Sequence, residues 1–231
     1  MATIAKTVGS FDKVLASCTT IGAQYQPNVA ELSHAALSQL QVRAQQSLGA
    51  VTATRIAYRM AVNDRSDSFA GISKLASRVV NMMSVYARES ASHLEDADRI
   101  KKMLYSPRRS QTSALNSEGV TGATKRSSGR LSYDQRIETF SNLVKLAEKL
   151  PNYLPVEPEM TLKGLKQKLA ELRAKSDAVI RAKAAFKKAM LARNQVLFGK
   201  DGIIEITKAV KHYIVAAFGH GSDESSQMAV V

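Results

Sequence analysis

Residues 161–198 read TLKGLKQKLAELRAKSDAVIRAKAAFKKAMLARNQVLF, and their spacing decides the fold. Leu162, Leu165, Leu169, Leu172, Ser176, Val179, Lys183, Phe186 and Met190 step by three and four, which puts them on one stripe of a helix. The stripe predicts one long helix over about 160–196. Leu37, Leu40, Ala44, Leu48, Val51, Arg55, Tyr58 and Val62 make a looser version of it and predict a second long helix over about 29–64. Both stripes are wider than a two-in-seven seam and contain Ala or Ser. That favours an antiparallel bundle over an extended parallel coiled coil.

The two stripes belong to an internal repeat. At an offset of 128, Tyr25-Gln26-Pro27 falls on Tyr153-Leu154-Pro155, Tyr58 on Phe186, Arg65 on Arg193 and Gly71 on Gly199. With a one-residue slip, Val79, Met83 and Tyr86 fall on Ile206, Val210 and Tyr213. With the opposite slip, Phe11, Val14 and Ile21 fall on Phe140, Leu143 and Leu150. Ordered matches across three segments imply a tandem duplication of roughly 11–88 and 139–215.

Each copy reads as three helices. A short first helix (about 10–24 and 133–150) stops at a Tyr-x-Pro turn, because the residue before proline disfavours helix. The long helix follows, then a glycine break and a third helix (about 68–104 and 203–217). The expected organisation is an all-α bundle with a first three-helix unit over 1–105 and a second over 133–218. Between them, 106–132 is rich in Ser, Thr, Gly and Arg and reads as a flexible connector; 219–231 reads as a frayed tail.

Composition agrees with a folded helical chain. Of 231 residues 45% are hydrophobic, with five Pro and no Trp. One cysteine, Cys18, excludes an internal disulfide and a cysteine-based zinc site. Leu15-Ala16-Ser17-Cys18 resembles a lipoprotein cleavage site, but Asp12 and Lys13 interrupt the apolar stretch that a signal peptide needs. No stretch is apolar enough for a membrane span, so the cytoplasm is the expected location.

Few residue patterns in the chain carry chemistry. Glu89 and His93 stand at i, i+4 beside Glu95, Asp96 and Asp98, but a di-iron bundle needs Glu-x-x-His on two helices, so this reads as a solvated acidic turn. His34, His93, His212 and His220 are scattered, and no serine sits in a Gly-x-Ser-x-Gly elbow. Gly199-Lys200-Asp201-Gly202 lacks phosphate-loop spacing and reads as a helix cap and turn. No catalytic residue, metal site or cofactor is expected.

Basic character remains. The net charge is +13, and residues 163–211 hold ten Lys and three Arg against four acids. Lys166, Arg173, Arg181, Lys187 and Lys188 fall outside the apolar stripe, and the connector adds Arg108, Arg109, Lys125, Arg126 and Arg130. These are the candidate polyanion-binding residues, acting through phosphate contacts without sequence preference; a solvated lysine-rich face is the plainer reading. Arg55 and Lys183 lie on the stripes at equivalent positions. They are either cations snorkelling at its edge or a paired cation kept through the duplication.

Ala192-Arg193-Asn194-x-Val196-Leu197-Phe198, then Val210-Lys211-x-Tyr213-Ile214 and Phe218-Gly219-x-x-Ser222, resemble a group of uncharacterised bacterial proteins, chiefly from Bacteroidota, with two helical repeats. The first copy departs from it in lacking the Phe-Gly ending. The resemblance implies the architecture and carries no activity. The expected function is a non-catalytic structural or protein-interaction role with self-association; the alternative is a basic protein that binds DNA or RNA without sequence specificity.

Overall fold

The computed structural model describes residues 2–86, 91–105, 132–151 and 153–229. Among these residues every regular element is a helix, so the fold is all-α. The α-helices are α1 (Ala2–Ile21), α2 (His34–Ala70), α3 (Ile72–Tyr86), α4 (Ala91–Tyr105), α5 (Tyr133–Lys149), α6 (Leu162–Phe198), α7 (Ile203–Phe218) and α8 (Asp223–Ala229). The expected third helix over 68–104 is two helices, α3 and α4, and the tail expected to fray carries α8. The connector 106–131 lies outside the described residues.

The two long helices begin on the same local device. Tyr25 donates from its hydroxyl to the Leu32 carbonyl at 2.7 Å, and Tyr153 to the Met160 carbonyl at 3.0 Å. Both phenols are buried, so each satisfies a carbonyl that water cannot reach. One residue further on, the side-chain oxygens of Ser33 and Thr161 accept from the backbone N–H groups of Ala36 and Gly164, three residues into each helix. Each tyrosine also meets a second ring edge-on: Tyr25 with Tyr213 at 5.4 Å, and Tyr153 with Tyr86 at 5.7 Å.

The compact units cut across the two sequence halves. Unit 1 comprises Met1–Arg59 and Arg181–Val231; unit 2 comprises Met60–Ile180. Each long helix therefore gives one half to each unit. The core of unit 1 joins Phe11 and Val14 of α1, Leu37 and Leu40 of α2, Leu197 of α6, and Ile203, Val210 and Ile214 of α7. That of unit 2 joins Phe140 and Leu143 of α5, Leu165 and Leu172 of α6, Phe69 of α2, Ile72, Val79 and Met83 of α3, and Ala97 and Leu104 of α4. Thus α1 packs with α7, the third helix of the other half, and α5 packs with α3 and α4.

Candidate functional site

Few polar groups converge in either unit. Among the described residues no three His, Cys, Asp or Glu side chains gather as a metal site would require. A shallow groove of about 210 Å³ runs between α4 and α5 over Ile100 and Leu146, with Asp96, Arg99, Lys145 and Lys149 at its rim. It is smaller than the ~300 Å³ at which small-molecule pockets begin. Glu89 of the acidic turn lies outside the described residues. Cys18 is buried in the unit 1 core, and burial raises its thiol pKa. No helix of the described residues is long and apolar enough to cross a membrane.

The long helices of unit 1 carry a one-sided charge. Neither 34–59 of α2 nor 181–200 of α6 and its turn contains an acidic residue. Arg43, Arg59, Arg181, Lys183, Lys187 and Lys188 are exposed there, and Arg55 is half-buried. Where the helices meet, Tyr58 and Phe186 stack nearly parallel, 6.3 Å apart and 7° from coplanar. The inner side of α6 then runs through Ala182, Phe186, Met190 and Arg193, and Lys183 stands outside it.

The cation drawn inward is Arg193, 9% exposed, whose guanidinium donates to the Asn194 side-chain oxygen at 2.8 and 3.2 Å. Its counterpart in unit 2, Arg65, lies 3.9 Å over the Tyr133 ring, which also meets Phe69 edge-on at 4.8 Å. The sequence offset pairs these two arginines, but nothing in it marks them as the inward ones. The usable signal is spacing, since Arg65 and Arg193 each stand seven residues after a stacked ring.

The outer side of α6 in unit 1 has a second feature. Leu191 is 70% exposed and Phe198 53%, although both residue types normally seek burial. In unit 2 three lysines of α6 are instead balanced, Lys166 alone of them a candidate. Lys166 pairs with Glu148, Lys168 with Glu171 and Lys175 with Asp64. The Lys168 hydrogen bond holds the Glu171 carboxyl below the usual range. Arg173 is exposed. Arg108, Arg109, Lys125, Arg126 and Arg130 lie outside the described residues. So Arg181, Lys183, Lys187 and Lys188 fall on the unit 1 half of α6, and Lys166 and Arg173 on its unit 2 half.

Unit 2 has its own unusual surface. In the turn before α6, Leu154 is 77% and Val156 91% exposed. Tyr86 at the end of α3 donates to the Leu154 carbonyl at 3.1 Å, and its neighbour Val85 is also exposed. The matching turn of the other half carries Gln26 and Asn28 in their place. No family model, no curated protein and no solved structure matches this chain.

Proposed function

We propose that this chain is a non-catalytic structural or interaction protein that self-associates through the turn before α6. The observation that carries the reading is the exposure of Leu154 and Val156, a pair of large apolar residues held out by a tethered backbone. Large apolar side chains held in water at neighbouring positions of one turn favour a protein contact. The polar residues at the equivalent turn argue that apolar side chains are not needed for the turn itself.

The test is size in solution by light scattering over a concentration series. The wild-type chain forms concentration-dependent oligomers, and Leu154→Gln with Val156→Asn, the residues of the other turn, shifts it to monomer. A wild-type chain monomeric at millimolar concentration would refute self-association.

We further read the halves as a duplicated three-helix unit whose third helices have exchanged partners. The support is the paired tyrosine, cap and ring contacts 128 residues apart, with one residue of slip at Tyr86 and Tyr213. The resemblance to two-repeat bacterial proteins is consistent with that reading. A second function, binding of DNA or RNA without sequence preference, is favoured by the acid-free stretches of unit 1. Its check is duplex binding across a salt series, where phosphate contacts give affinity that falls steeply with salt.

A further inference from the structure

We propose that the outer face of α6 between Arg181 and Phe198 docks unit 1 onto an anionic lipid surface. Ala184, Leu191 and Phe198 are spaced by seven, so they form one stripe on the side opposite Ala182, Phe186 and Met190. The same helical geometry puts Lys183 and Lys187 along one flank of that stripe and Arg181 and Lys188 along the other. All four cations are exposed, and none forms an ion pair among the described residues. From Ala184 to Leu191 this line is bordered on both sides by Lys and Arg, with the uncharged Asn194 and Gln195 leading on to Phe198. An apolar line beside basic flanks is the arrangement of a helix that lies in a membrane interface.

The occupant follows from the two chemistries together. A second copy meeting this face across a twofold axis would set four cations against four, with no carboxylate between 181 and 200 to offset them. Duplex phosphates would satisfy the cations but leave Leu191 in water. An anionic bilayer meets both needs: phosphate headgroups take the ammonium and guanidinium groups, and the acyl boundary takes Leu191 and Phe198. The long basic side chains reach the headgroups while their stems lie along the apolar stripe. This rests on the reading of the chain as an interaction protein and names one partner for it.

The full-length chain is tested by co-sedimentation with vesicles of phosphatidylcholine alone and with 30% phosphatidylglycerol. Binding to the anionic vesicles only is expected. Lys187→Gln with Lys188→Gln should weaken it about thirtyfold, at roughly fivefold per cation near the surface. Leu191→Gln should weaken vesicle binding about tenfold and leave low-salt duplex DNA binding unchanged. Because the chain has no Trp, Leu191→Trp supplies a single indole whose emission shifts to the blue on anionic vesicles. No binding to anionic vesicles, unchanged binding by Leu191→Gln, or an unshifted indole would each overturn the proposal. Charge-dependent duplex binding without vesicle binding would assign the face to nucleic acid. Light scattering judges self-association separately from either result.

Discussion

Replacing Tyr153 by Phe removes one hydroxyl and leaves the buried Met160 carbonyl without its donor. The bond is 3.0 Å long and both residues are about 4% exposed, so water cannot substitute for the lost group. An orphaned buried acceptor costs about 1–3 kcal/mol, and the urea midpoint of unit 2 should fall accordingly. The pH dependence is a sharper test. Burial, aided by Tyr86 and Glu157, pushes the Tyr153 phenol up to about 12, against about 10 in an unfolded chain. Its folded pKa is raised, so its contribution is complete below pH 10 and is lost as pH rises towards 12. In that window the wild type loses about 1.4 kcal/mol per pH unit from this group, and the Phe variant does not. The two stabilities should therefore converge as pH rises from 9 to 12. A constant gap across that range, or no gap at pH 8, would refute the assignment of the tyrosine bond.

Other consequences are open to direct measurement. A Cβ at Gly164 would stand 2.0 Å from the Pro158 carbonyl oxygen, so Gly164→Ala should cost about 1–3 kcal/mol by urea unfolding. Gly49, exposed in the middle of α2 with nothing within 4 Å, should gain up to about 1 kcal/mol from the same change. Phe140→Ala empties a fully buried position and should destabilise unit 2 by about 3–5 kcal/mol. Hydrogen exchange should then quicken in α3 and α5 ahead of α1 and α7. Cys18 should react with a thiol reagent only as urea unfolds unit 1, because burial raises its pKa.

Periodicity made the helices legible, since Leu165, Leu169, Leu172, Ser176 and Val179 are all buried as their spacing requires. It also carried the tyrosine starts, because Tyr-x-Pro marks a stop in any context. What it could not carry was partner choice. Ile72, Ala76, Val79 and Met83 of α3 have nearly the spacing of Ile203, Ile206, Val210 and Ile214 of α7. Spacing defines a buried face but not the face it meets, so the packing of α7 on α1 and of α3 on α5 was invisible. The stripe also misassigned one step at Lys183, since helical spacing of three allows Ala182 to continue from Val179 equally well. Leu191 and Phe198 look like core residues in sequence, and only their exposure makes them a candidate surface.

The core of unit 1 imposes an order on synthesis. Phe11, Val14, Leu37 and Leu40 leave the ribosome early, but their partners Ile203, Val210 and Ile214 come from the last helices. From Ala44 to Ile214 the chain must grow by about 170 residues, roughly 10–30 s at typical elongation rates. Unit 2 is complete once Ile180 has emerged and can close its core in that interval. The N-terminal helix therefore waits, with α2 but not α7 to cover its apolar side, while the middle of the chain folds first.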